Sequence, residues 1–94
     1  MWKLIALKSQ LADTQRELAQ AQEQLKAIGE DQSRLRANLG QMPSNSAAYK
    51  RYLEKFDQQE TEIEKLQTKR QQLQDREHQQ RQGYEAYLMA LNVE

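Results

Sequence analysis

The stretch NLGQMPSNSAAYKRY, residues 38–52, decides the fold of this 94-residue chain. It gathers Gly40, Pro43 and a run of small polar residues between flanks rich in Leu, Gln, Glu and Lys. Gly40 suits the C-terminal cap of a helix. Pro43 stops a helix, because it has no amide proton and its ring collides with the preceding turn. Ser44 or Ser46 can cap the next helix through its hydroxyl oxygen, and Ala47 and Ala48 propagate it. The stretch therefore reads as a fold-back between two helices.

Both flanks carry a heptad pattern. With Leu4 at position a, the a residues are Leu4, Leu11, Leu18, Leu25, Gln32 and Leu39. The d residues are Leu7, Thr14, Ala21, Ile28, Leu35 and Met42. Nine of these twelve are large and apolar and the frame does not slip, which is a coiled-coil signal. Downstream, with Tyr49 at a, the a residues are Tyr49, Phe56, Ile63, Arg70, Glu77, Tyr84 and Leu91. The d residues are Tyr52, Gln59, Leu66, Leu73, Gln80 and Tyr87. This second seam is weaker, with polar residues at four sites.

The halves reinforce each other. In an antiparallel pair the numbers of facing residues add to a constant, and here that constant is 91. It sets Leu25 against Leu66, Ile28 against Ile63, Leu18 against Leu73, Leu35 against Phe56, Leu39 against Tyr52, Leu7 against Tyr84 and Leu4 against Tyr87. The expected fold is all-α, a long antiparallel two-helix coiled-coil hairpin. Its helices cover 3–40 and 46–91, with the bend at 41–45. At about 1.5 Å per residue the arms would run roughly 55 to 65 Å. A hairpin buries one seam only, so pairing of two hairpins into a four-helix bundle, or packing against the rest of a larger protein, stays open. So does a dimer in which the arms straighten and swap across the bend.

Gln32 faces Gln59 in this register. The layer is either a tolerated polar defect or a register pin in which the two amides bond each other. Flanking charges agree with the register: Glu17 lies near Lys69 and Arg76, and Arg36 near Glu60. Apolar residues gather near the bend (Leu35, Leu39, Met42, Tyr49, Tyr52, Leu53, Phe56) and at the other end (Trp2, Leu4, Ile5, Leu7, Tyr84, Tyr87, Leu88, Leu91). Between them Ala21 faces Arg70, Thr14 faces Glu77 and Leu11 faces Gln80, so the middle is expected to be softer. Gly29 and Gly83 fall inside helices. They mark simple tolerance or else a bend or close helix contact.

Composition narrows the function classes. Apolar residues are 37% and charged residues 30%, with 14 cations balancing 14 anions. A general nucleic-acid binder carries a basic excess, which is absent here overall. There is no cysteine, hence no disulfide framework and no Cys-based zinc site. No segment has the roughly 18 apolar residues of a membrane span. MWKLIAL is too short for a signal-peptide core, and Met1 reads as a fragment boundary. The chain is expected to be soluble, with the cytoplasm slightly favoured over the periplasm.

Chemistry is sparse. His78, the only histidine, sits at an outward b position with Asp75 three residues before it. That spacing occurs in helical metal sites, but those need matching motifs and inward carboxylates on facing helices. No nucleophile–base set or glycine-rich phosphate loop can be assembled. No catalytic, metal or cofactor residue is expected, and the chain is read as a non-enzyme. One local imbalance stands out. Between Ser33 and Phe56 lie Arg34, Arg36, Lys50, Arg51 and Lys55, and the only acid is Glu54. With Tyr49, Tyr52 and Phe56 beside them, these cations either form a contact surface or stay solvated while the aromatics close the seam. The candidate tip contact is Arg34, Arg36, Lys50 and Arg51.

Asp31-Gln32 followed by RLRANL at 34–39, and YKRYLEKFDQQETEIEKL at 49–66, resemble the C-terminal coiled coil of a family of uncharacterised bacterial proteins, a domain of unknown function linked to a mucoidy-inhibitor class. YEAYLMALNV at 84–93 is similar to the end of that family, and Phe56 stands where the family has Leu. The resemblance covers about two-thirds of the chain, from Asp31 onward. It implies the terminal hairpin of a larger protein with β-rich upstream domains, and it brings no catalytic residue to this segment. The leading expectation is thus a structural and protein-interaction module that associates with itself, with its parent domains or with a protein at the tip. The alternatives are a nucleic-acid-binding arm using the basic tip and an adaptor hairpin of a bacterial export system.

Overall fold

The computed structural model describes residues 2–93, with side chains through Leu91. Two helices account for almost all of them: α1, Trp2–Leu39, and α2, Ala47–Val93. The chain is an all-α helical hairpin with a bend at 40–46. Each helix is built largely from Ala, Leu, Gln, Glu, Lys and Arg, which lose little rotamer freedom in a helix. Its heptad stripe supplies the apolar face that packing needs.

The bend is made differently from the expectation. α1 ends one residue early, at Leu39, and Gly40 does not adopt a left-handed conformation; no described residue has a positive φ. Gly40 still donates to the Arg36 carbonyl at 3.2 Å. The next amides, of Gln41 and Met42, shift to the carbonyls of Asn38 and Leu39 at 3.1 and 3.3 Å. This tighter i to i−3 winding satisfies the last carbonyls in place of a glycine cap. Of the two candidate serines, Ser46 caps α2. Its hydroxyl accepts from the Tyr49 amide at 3.1 Å and donates to the Pro43 carbonyl at 2.8 Å. α2 then begins at Ala47 rather than at residue 46.

The hairpin comprises two compact units. The bend unit is Gln22–Thr68. Its seam residues Leu25, Ile28, Leu39, Phe56, Ile63 and Leu66 are half-buried, Gln32 and Gln59 are buried, and Leu35 is fully buried. The other unit joins the residues up to Ala21 with those from Lys69 onward. There Thr14, Ala21 and Leu73 are buried. The small residues Thr14 and Ala21 are covered because the register sets them against the long side chains of Glu77 and Arg70, so small meets large across the seam.

In this second unit the apolar cluster is smaller than expected. Leu4, Leu7, Tyr84, Tyr87 and Leu88 are half-buried, but Trp2 and Ile5 are exposed, Trp2 at 85%. Trp2 and Ile5 occupy the outward f and b positions of the heptad, so their apolar character does not place them in the seam. Leu91, at position a, is also exposed. Neither internal glycine marks a close helix contact, since a Cβ at Gly29 or Gly83 would meet nothing within 4 Å.

Candidate interaction site at the bend and the clasp beneath it

The candidate site lies wholly within the bend unit. At its base is the polar layer of Gln32 and Gln59, buried to 8% and 9% exposure. The two amides do not bond each other. Gln32 Nε2 donates to Glu60 Oε1 at 2.6 Å, and Gln59 Nε2 donates to Asp31 Oδ2 at 2.6 Å. Each seam amide thus reaches the carboxylate next to its facing amide on the other helix. A carboxylate is the stronger acceptor, because a charge-assisted hydrogen bond exceeds a neutral one. The arrangement is reciprocal: Asp31-Gln32 on α1 meets Gln59-Glu60 on α2, acid-amide against amide-acid.

Asp31 is the hub of this clasp. Its Oδ1 accepts from Arg34 Nε and Nη2 at 3.0 and 2.8 Å, and Lys55 Nζ stands 3.8 Å from its Oδ2. The Arg34 hydrogen bonds, and then the Gln59 amide, hold the Asp31 carboxyl below the usual carboxylate range. Asp31 in turn raises the Arg34 guanidinium above its ordinary value. In the sequence Asp31 stands out only as a neighbour of Gln32, and Glu60 only as a partner for Arg36. The signal for their real role is the mirrored order of acid and amide about the register.

The four candidate tip cations divide into two pairs. Arg34 is committed to Asp31. Arg36 does not pair with Glu60; its guanidinium lies over the Phe56 ring, 5.7 Å from the centroid. Phe56 therefore seals the seam and carries a cation on its outer face. Lys50 and Arg51 are exposed and have no ion-pair partner among the described residues. They sit in the opening turns of α2, whose first turn holds no acid. Tyr49 and Tyr52 are half-buried at seam positions.

In the other unit Glu77 gathers polar contacts, accepting from Gln15 Nε2 at 3.4 Å and from Arg81. Glu17 pairs with Arg76 at 3.9 Å, and no ion pair to Lys69 is formed. Lys3 lies over the Tyr87 ring, 5.3 Å from its centroid. His78 is exposed, and Asp75 accepts from Gln71 at 3.1 Å. No described helix is long and apolar enough to cross a membrane. Comparisons with family models, curated proteins and solved structures find no match.

Proposed function

We propose that this chain is a non-catalytic structural and protein-interaction module that offers its bend to an acidic surface of a partner protein. The observation that carries this reading is the placement of Lys50 and Arg51, exposed and without ion-pair partners among the described residues beside the bend. The clasp supports the same reading, because it fixes the register beneath the bend and so fixes where the two cations stand.

A protein partner fits better than a nucleic acid. The whole chain is electrically neutral, and binding along a phosphate backbone draws on many cations. Arg34 and Arg36 are occupied within the hairpin. Tyr49 and Tyr52 are half-buried in the seam, which removes the aromatic platforms on which bases stack. The resemblance to the terminal coiled coil of uncharacterised bacterial proteins agrees with an accessory, non-catalytic role within a larger protein.

The test is fluorescence anisotropy of a labelled glutamate-rich peptide and of labelled oligouridine, titrated with the full chain at low salt. The peptide is expected to bind, and Lys50→Glu with Arg51→Glu to abolish binding while Lys69→Glu leaves it unchanged. Tighter binding of the oligouridine, sensitive to the same two substitutions, would shift the reading to a nucleic-acid arm. Binding of neither probe would remove the tip as a contact.

A further inference from the structure

We infer that two copies of this chain exchange arms at high concentration, each opening at the bend so that its α1 packs on α2 of the second copy. The inference stands on the seam and the bend, independently of what the tip cations bind.

The seam is its own mirror. Gln15–Glu77 in one unit, and Gln32–Glu60 and Gln59–Asp31 in the other, all fall within one residue of the register in which facing numbers add to 91. A rule of that form is unchanged when the two arms trade places. A second chain running antiparallel therefore offers each residue the same partner it has in the hairpin. The clasp carries over whole: Gln32 finds Glu60, and Gln59 finds Asp31, on the other molecule. Such an interface is isologous and closes on two chains.

The bend is already wound in the direction that opening requires. On its α1 side the amides of Gly40, Gln41 and Met42 bond to carbonyls three or four residues back. On its α2 side Ser46 bonds to Pro43 and Lys50 to Ser46 in the same sense. No described residue has a positive φ, so no left-handed residue has to be unwound. Opening needs the bend, residues 40–46, to join the two helices into one. Met42 and Tyr49, both half-buried at the bend, would then face each other between the two copies. Two features hold the hairpin closed. Pro43 lacks a donor and crowds the preceding turn, and the Ser46 cap on Tyr49 exists only while the chain is bent. They oppose opening without preventing it, so concentration decides between the two forms.

The experiment is sedimentation equilibrium of the full chain from micromolar to millimolar concentration. It is run on the natural sequence, on Pro43→Ala, and on two intramolecular disulfide locks, Leu18→Cys with Leu73→Cys and Leu25→Cys with Leu66→Cys. Each lock is oxidised at low concentration, so misfolding of one leaves the other to decide. Dimerisation of the natural chain that is at least tenfold tighter in Pro43→Ala and absent in an oxidised lock of unchanged helicity is expected. Dimers that persist in the locked hairpins would overturn the inference in favour of face-to-face bundling. A natural chain that stays monomeric at millimolar concentration would overturn it as well, whatever Pro43→Ala does.

Discussion

Gln59 on α2 donates its amide to Asp31 on α1 at 2.6 Å, and the carbonyl oxygen of the same side chain is buried with no donor. The layer is thus a stabilising contact and an unsatisfied acceptor at once. A buried acceptor without a partner costs about 1–3 kcal/mol, which offsets much of what the clasp contributes. Its benefit lies in specificity, since sliding either helix would bury two amides away from their carboxylates.

Replacing both amides should therefore separate stability from register. Gln32→Leu with Gln59→Leu is expected to raise the unfolding free energy in urea by about 1–3 kcal/mol, as when buried polar pairs give way to packed apolar ones. The same variant should cross-link more readily through cysteine pairs offset by one heptad. A drop in stability would show instead that the two amide–carboxylate bonds outweigh the lost acceptor.

Acid should act on the clasp through Asp31. Arg34, and after it Gln59, hold the folded carboxyl below its ordinary value, so folding favours the ionised form. The resulting stabilisation is full above the unfolded-state pKa, about 4 for aspartate. It declines as pH falls through the lower folded value. Urea unfolding of the natural chain and of Asp31→Asn at stepped pH isolates this contribution, because the other carboxylates cancel in the difference. The advantage of the natural chain should be constant from pH 7 to about pH 5 and shrink below about pH 4. A flat difference across that range would detach Asp31 from the acid response.

The register was readable because period and length act together. Over the 38 residues of α1 and 47 of α2, a slip would misplace many layers at once. Accordingly every heptad a and d position except Leu91 is buried or half-buried. What the heptads could not reveal is the choice made by each seam amide. Gln32 can satisfy its amide protons on Gln59 or on a carboxylate beside it, and only geometry and acceptor strength decide. Arg36 is similar, since the Phe56 ring lies one residue from its facing position and Glu60 five, both within reach of a long guanidinium side chain. Gly40 misled for a different reason: glycine permits a left-handed cap but does not require one. Of the tip residues, composition marked all four cations, but only the structure separates the engaged Arg34 and Arg36 from Lys50 and Arg51.

The internal glycines offer stabilisation that the hairpin does not use. A Cβ at Gly29 or Gly83 would meet nothing within 4 Å, and neither residue has a positive φ. Gly29→Ala and Gly83→Ala should each raise stability by about 0.5–1 kcal/mol through helix propensity and reduced freedom of the unfolded chain. They belong to different units and share no neighbour, so the two gains should add. Thermal melts of both single variants and the double variant measure this directly.

The start of α2 depends on one hydroxyl. Ser46→Ala removes the acceptor for the Tyr49 amide and the donor to the Pro43 carbonyl. A loss of about 1 kcal/mol is expected from the cap alone. Ser44→Ala, at an exposed site two residues earlier, is the control and should be neutral. Amide exchange at Tyr49 should quicken in Ser46→Ala before the rest of α2 responds, because the fault is local to the first turn.

Leu35 and Leu53 put the seam itself to the test. Leu35, at position d, is fully buried, whereas Leu53, at position e, is 42% exposed. Both are leucines in the bend unit, so helix propensity and the unfolded chain contribute equally to a change to Ala. Leu35→Ala removes side-chain atoms that the register places against Phe56, and a two-helix seam has few neighbours able to close the gap. A cost of about 2–4 kcal/mol is expected, against less than about 1 kcal/mol for Leu53→Ala. Urea unfolding of the two variants under identical conditions gives the difference. Equal costs would mean that burial in this hairpin is not organised by the a and d positions, and the antiparallel register would fall with it.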